Sequence, residues 1–413
     1  MSAGRLVALM CTAQVLAQIG AYTWPALLPG FFQRWPMDNT QAGWITGAFY
    51  GAYMLSVPFL VGITDRIDPR KVYLFGVTLT TFSHLGFALF ADGVTSALIF
   101  RVLAGIGWAG TYMTGLKLLS DRIDDKMMSR AVSGHAAGVG IAGGLSFAFA
   151  GALQSWLGWQ GAFVIAAACS FAALLIAWLL LPAAPRTTQH SPGLRLSLMK
   201  WLPDFRPVLA NRSAIAYSAA YCVHTWEMNA LRGWSVAFLA FVAGNTSSTL
   251  ADGWLTPVIV VTAMGLLGTG ASVIGNELAM AYGRARLVRR AMLFGSGLAI
   301  AVGILGTQSY ALASSGVLLY AIVIWLDSSA LTAGAAGNAE PGRRGATLAL
   351  HSMLGYAGGF IGPVMMGWLL DVNGGMSAQG WIIAFAHLGV IGLIGRMLFA
   401  RLGPGSVAGD QAH

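Results

Sequence analysis

Charge is what this chain has least of. Asp, Glu, Lys and Arg make up only 9% of its 413 residues, where a soluble domain carries about 25%. That excludes an ordinary soluble fold. Long polar stretches are missing too, and the short gaps between apolar runs leave no room for a separate soluble domain. Cysteine is scarce. Cys11, Cys169 and Cys222 all lie inside apolar runs, which excludes a disulfide framework and points to packing roles. No His/Cys/Asp/Glu grouping has metal-ligand spacing. No Gly-rich phosphate loop sits at a strand–helix junction, and no catalytic triad is placed in a loop. The expectation is a non-enzyme with no cofactor and no metal.

What the chain has is apolar length. A bilayer core needs roughly 20 apolar residues per helix, and runs of that size recur, as in 161–181, 258–274 and 291–306. Twelve spans are read, at 6–31, 41–64, 71–91, 94–117, 131–153, 159–182, 213–240, 254–280, 288–306, 309–334, 346–370 and 379–400. The first run is too long for a signal peptide and lacks a clear small-residue cleavage site, so it is read as a span. An all-α integral membrane protein is expected.

The basic residues orient it. One set of alternate gaps holds Arg5, then Arg66, Arg70 and Lys71, then Lys117, Arg122, Lys126 and Arg130. It continues with Arg186, Arg195, Lys200, Arg206 and Arg212, then Arg284, Arg286, Arg289 and Arg290, then Arg343 and Arg344, then Arg396 and Arg401. The opposite set holds only Arg34. Basic gaps mark the cytoplasmic side, so both termini are expected there, in a cell (inner) membrane. Trp35, Trp156, Trp159, Trp254 and Trp381 at the other side fit an interfacial belt. The net charge of +9 is this loop charge and needs no nucleic acid. The stretch 193–202 fits either an amphipathic helix on the inner leaflet or a solvated connector.

The gap 183–212 splits the spans six and six. It suggests a duplicated bundle, with domains 1–182 and 213–413 joined by a cytoplasmic linker. Tyr22-Thr23-Trp24-Pro25 in span 1 answers His224-Thr225-Trp226-Glu227 in span 7. Gly138, Gly140, Gly143 and Gly144 in span 5 answer Gly355, Gly358, Gly359 and Gly362 in span 11. Such glycine faces let helix backbones approach closely.

Here the chain resembles the major facilitator superfamily of secondary transporters, over essentially its full length. Asp65-Arg66-Ile67-Asp68-Pro69-Arg70-Lys71 between spans 2 and 3 is similar to the family signature Gly-x-x-x-Asp-Arg/Lys-x-Gly-Arg/Lys-Arg/Lys. Val61 replaces its first Gly, and Asp68-Pro69 replaces Gly-basic. Arg101-Val-Leu-Ala-Gly105-Ile-Gly107 in span 4 resembles a second signature. Gly283-Arg284-Ala285-Arg286 looks like a decayed copy of the first, with Met280 in the Asp position. The resemblance implies two pseudo-symmetric six-helix bundles and a gate at Asp65, with Arg66 and Arg70 as partners or as plain topology charges. Span 5 lacks the Gly-Pro signature of the family's drug/proton antiporters; Gly362-Pro363 occurs in span 11 instead.

An ionisable group at mid-bilayer costs roughly 2.5–3.5 kcal/mol on insertion scales, so it is a functional candidate by default. The candidates are Arg101, Glu227, Arg232 and Asp327. His224 and Glu227 are three apart on one helix face. They read as a proton-coupling pair or as a structural lock. Arg232, five beyond Glu227, points elsewhere. Arg101 cannot deprotonate and must meet an anion or a carbonyl. It could bind an anionic substrate, pair with Glu227 or Asp327, or simply hold helices together. Lys117 and Glu277 sit at span ends and can reach interfacial water. Gln14, Gln18 and Tyr22 follow one face of span 1 and could line a cavity or glue helices. His135 and His351 read as exposed or capping residues; His84 and His387 read as packed or lipid-interface residues.

The leading expectation is a secondary transporter working by alternating access around a cavity lined by spans 1, 4, 7 and 10. Its partners would be a small-molecule substrate, protons and lipid, with a monomer expected. Two membrane Arg against two membrane acids permit a carboxylate, a zwitterion or a weakly polar metabolite. Proton-driven efflux of drugs or metabolites fits too. A passive facilitator would need neither Glu227 nor Asp327. A receptor-like descendant would not need the Asp65 cluster or Arg101. Asp65→Asn is expected to loosen the gate and reduce transport while the protein still inserts. Unchanged cysteine labelling from both sides with unchanged transport would reduce Asp65 to a topology charge.

Overall fold

The structure, a computed structural model, describes residues 2–64, 66–123, 125–183, 204–407 and 410, with the backbone only at 125–130 and 132–133. The candidate gate residue Asp65, the stretch 193–202 and the linker residues Arg186, Arg195 and Lys200 lie outside the described residues. Among the described residues all regular structure is helical. Nine helical stretches there are long and apolar enough to cross a membrane, two of them, Val94–Ser120 and Tyr310–Gly337, each taken through a short break. One of them, Gly134–Leu180, has 47 residues, about twice a bilayer crossing, and breaks at Gly158. This is an integral, multi-pass membrane protein.

The first half runs α1 (Ala3–Gln18), α2 (Thr23–Ala26), α3 (Leu28–Arg34), α4 (Asn39–Ile63), α5 (Pro69–Phe90), α6 (Val94–Ala109), α7 (Tyr112–Ser120) and α8 (Asp125–Leu175). A π-helical turn, Ile176–Leu180, ends it. The second half runs α9 (Arg206–Ala210), α10 (Arg212–Thr246), α11 (Thr249–Asp252), α12 (Pro257–Tyr282), α13 (Arg284–Gly306), α14 (Tyr310–Trp325), α15 (Ser328–Gly337), α16 (Arg344–Val372) and α17 (Ala378–Leu402). Three expected spans are not single helices. The first divides into α1–α3, the fourth into α6 and α7, and the tenth into α14 and α15. Periodicity alone does not reveal such breaks. Hydropathy averages across them, and in a membrane a broken helix survives only where the protein satisfies the freed backbone groups.

The chain forms two compact units. One holds residues 1–23 and 51–203; the other holds residues 24–50 and 204–413. In the first, α1 and α5 pack on α8, and α5 packs on α6. Leu6, Met10, Tyr73, Val77, Leu118 and Ala173 are among its buried core. In the second, α10 runs along α16, and α13 along α17.

Residues 24–50 join the second unit through a glycine seam on α16. A Cβ at Gly43 would sit 2.6 Å from the Pro363 carbonyl oxygen, and one at Gly47 would sit 2.6 Å from that of Phe360. These are backbone atoms that cannot swing away. Trp24 Nε1 donates to Thr46 Oγ1 at 3.0 Å, and Trp234 Nε1 donates to the Pro363 carbonyl at 2.9 Å. Asp371 closes the seam. It accepts from Asn39 N at 3.1 Å, Asn39 Nδ2 at 2.7 Å and Thr40 N at 2.7 Å. An acid at the C-terminal end of α16 opposes its own helix dipole, and the N-terminus of α4 offsets that cost. Gly43→Val is expected to destabilise the fold by about 1–3 kcal/mol through overpacking. Thermal unfolding in detergent measures it, and an unchanged transition would show that the seam tolerates a side chain.

Candidate functional site

In the first unit the break in span 1 organises the polar residues. Between α1 and α2 the backbone turns through Ile19, Gly20, Ala21 and Tyr22. Arg101 on α6, only 3% exposed, donates from Nη1 to the Ala21 carbonyl at 3.0 Å. Ser146 Oγ accepts from Tyr22 N at 2.9 Å. One partner of Arg101 is thus a backbone carbonyl. The Tyr22 ring stacks on Phe147. One turn away, Gln14 and Gln18 are buried. Gln14 Nε2 and Oε1 and Gln18 Nε2 have no hydrogen-bond partner among the described residues. An orphaned buried polar group costs about 1–3 kcal/mol.

In the second unit α10 stays unbroken and meets a broken neighbour. Glu227, 3% exposed, accepts from Tyr320 Oη of α14 at 2.8 Å. His224 Nδ1 lies 2.8 Å from Asp327 Oδ1, with both side chains buried. Glu227 and His224 therefore do not pair with each other, as their spacing suggested; each finds its own partner on the next element. The pattern has a helical logic. His224 and Glu227 are one turn apart on α10, and Asp327 and Tyr320 are two turns apart along the α14 line. Asp327 sits at the joint between α14 and α15. That joint needs a glycine opposite, because a Cβ at Gly275 of α12 would lie 1.8 Å from the Leu326 carbonyl oxygen.

The column continues along α10. Tyr221 stacks near His224, with ring centroids 5.6 Å apart, and on His351 of α16 at 4.2 Å. His351 approaches Ser218 Oγ at 3.3 Å through Nδ1 and Thr332 Oγ1 at 3.2 Å through Nε2. The expectation of an exposed or capping His351 fails: it is 3% exposed and held on both ring nitrogens. His135 is also buried, and its Nε2 meets the Tyr112 carbonyl at the α6–α7 break. Arg232 lies apart from Glu227, over the Trp325 ring at 4.8 Å. His84 is buried, and the partly exposed His387 receives Trp226 Nε1 at 3.2 Å.

The basic end of the first unit carries a staple that sequence reasoning placed only in part. Arg70 donates from Nε to the Ala177 carbonyl at 3.0 Å, and from Nη2 to that of Trp178, in the π-helical turn. Arg66, the other expected gate partner, lies two residues before Asp68, in the turn that leads into α5. Asp68 caps α5 by accepting from Arg70 N at 3.0 Å, with Pro69 opening the helix. Asp68 also pairs with Arg122 Nη2 at 3.0 Å. Neither Asp68 nor Arg122 was singled out from the sequence, although Asp-Pro is a helix-start signal.

The sequence profile of the Major Facilitator Superfamily matches residues 10–336. The chain is 23% identical to protein spinster homolog 1 of Homo sapiens over 392 residues, covering 89% of this chain and 72% of that protein. The match to its Bos taurus counterpart spans only 58% of the relative. Monocarboxylate transporter 13 of Rattus norvegicus is 27% identical over 408 residues, covering 89% of this chain and 87% of the relative. Among solved structures, a bacterial homologue of the human lysosomal transporter Spinster, inward-facing and occupied, superposes with a TM-score of 0.77. It is 17% identical, over 97% of this chain and 96% of that one, a likeness of fold. Arg101→Met, which keeps length but removes the charge and its bond to Ala21, is expected to cost about 1.5–3 kcal/mol. An unaltered unfolding transition would show that the span-1 break stands without it.

Proposed function

This chain belongs to the Major Facilitator Superfamily, a superfamily of membrane transporters, and from that premise we propose that it moves a small organic solute by alternating access, coupled to protons through Glu227 and Asp327. The observation that carries the reading is the pair of buried carboxylates on one line of the second unit, Glu227 hydrogen-bonded by Tyr320 and Asp327 within 2.8 Å of His224. Burying such groups is costly in a passive conduit, which has no use for titration. Neither ring nitrogen of His224 makes an aligned hydrogen bond among the described residues, although Nδ1 stands 2.8 Å from Asp327 Oδ1.

For the solute, the first unit supplies Arg101 and the orphaned amides of Gln14 and Gln18, with Tyr22 beside them. A guanidinium and two amides suit a carboxylate-bearing molecule. A relative bearing the name monocarboxylate transporter supports that class. The basic ends of the helices face the cytoplasm on this reading, with both termini inside and the chain in the cell (inner) membrane as a monomer. The staple at Arg70 then belongs to the cytoplasmic side.

Substrate binding and proton binding are linked thermodynamically when both shift one conformational equilibrium. Glu227→Gln keeps size and hydrogen bonding but removes titration. In proteoliposomes it is expected to abolish accumulation of a radiolabelled monocarboxylate, such as lactate or benzoate, driven by a pH gradient, while solute-for-solute exchange persists. A mutant that still concentrates solute places the coupling group elsewhere, with Asp327 next in line.

A further inference from the structure

Beyond α17, residues 403–407 and Asp410 stay against the protein. The chain turns at Gly403 (φ +69°) and lies back on the second unit. Ser213 Oγ donates to the Gly403 carbonyl at 3.3 Å. The Gly405 carbonyl accepts from Tyr217 Oη at 3.0 Å and from Asn338 Nδ2 at 3.4 Å. Val407 presses on Gly337, the last residue of α15, so closely that a Cβ there would sit 2.5 Å from Val407 Cγ1. Asp410 then meets Arg284, the first residue of α13, with both oxygens: Oδ1 to Nη2 at 3.0 Å and Oδ2 to Nε at 3.3 Å. Both side chains of this forked pair are only 5% exposed.

Arg284 has a second task. Its Nη1 donates to the Ala330 carbonyl, in the first turn of α15, at 3.4 Å. The segment therefore grips α15 at both ends, at Ala330 through Arg284 and at Gly337 through Val407. Asp327 stands immediately before α15, three residues from Ala330. The stretch 278–286 around Arg284 contains no acid of its own. The first unit shows the same device in another chemistry. Arg70, near the start of α5, reaches carbonyls of the turn that ends the first half. In the six-and-six repeat α5 and α13 hold corresponding places. There a π-helical turn offers spare carbonyls; here an aspartate arrives from beyond the last helix.

We infer that Asp410 is a positioning residue for the proton site: by neutralising and orienting Arg284 it fixes α15, and with it the place of Asp327 beside His224. The inference rests on the reading of Asp327 as a coupling group. Removing one partner of a buried pair leaves an uncompensated charge, which is strongly destabilising locally. Loss of Asp410 is therefore felt at α15 and not only in the segment itself.

Hydrogen–deuterium exchange on the purified full chain tests this, alongside lactate and benzoate accumulation in proteoliposomes under a pH gradient. Asp410→Asn is expected to speed amide exchange in 328–337 on the order of tenfold or more, and to lower accumulation several-fold. Asp410→Glu is expected to restore both, as is the exchange of charges in Asp410→Arg with Arg284→Asp. Faster exchange confined to 403–407, or none at all, would overturn the inference. Faster exchange in 328–337 with accumulation intact would uphold the grip on α15 and sink the coupling role of Asp327 instead. That outcome stays distinct from a failure at Glu227, which its own glutamine variant reports.

Discussion

A polar group inside a bilayer must find its partner within the protein, because hydrocarbon offers none. Much of what is unusual in this structure follows from that constraint. The helix of span 1 can break because Arg101 takes the Ala21 carbonyl and Ser146 takes the Tyr22 amide. The helix of span 10 can break because Gly275 lets α12 approach the Leu326 carbonyl and His224 meets the aspartate at the joint. The π-helical turn can end the first half because Arg70 collects its carbonyls. At these three places the break and the polar side chain that meets it occur together.

The same constraint concentrates chemistry. A carboxylate buried on α10 is costly anywhere along the helix. Placed opposite Tyr320 it becomes a hydrogen-bonded group whose surroundings decide whether it holds a proton. The Asp327–His224 pair lies one turn along α10. Tyr221, His351, Ser218 and Thr332 extend the polar line between α10, α15 and α16. Charged residues in the first unit serve a different end. Arg101 is permanently cationic and holds the Ala21 carbonyl at the turn of span 1.

The membrane class, the helical fold and the family were legible from very little: hydropathy, alternate basic gaps and three short signatures. They were legible because the bilayer imposes length and charge rules on every segment. The identity of the intramembrane charges was legible for the same reason, since insertion cost marks Arg101, Glu227, Arg232 and Asp327 at once. Their pairing was not. Spacing on one helix suggested that His224 belongs with Glu227, but partners are chosen across helices, by breaks and glycine contacts that no local pattern displays. His351 read as a residue at a span entry because position along the chain says nothing of the neighbouring tyrosine. Asp68 was visible only as a departure from the family signature, although with Pro69 it forms an ordinary helix start. Asp410 was invisible, since nothing in the sequence ties it to Arg284.

The central claim is that solute movement and proton movement are one event. The most direct measurement is the number of protons that cross with each solute molecule, followed with a pH-sensitive dye and radiolabelled benzoate or lactate in the same vesicles. The account predicts a fixed proton-to-solute ratio that holds as the solute gradient is varied. Solute flux with no accompanying proton flux would contradict it and leave the buried acids as structural groups.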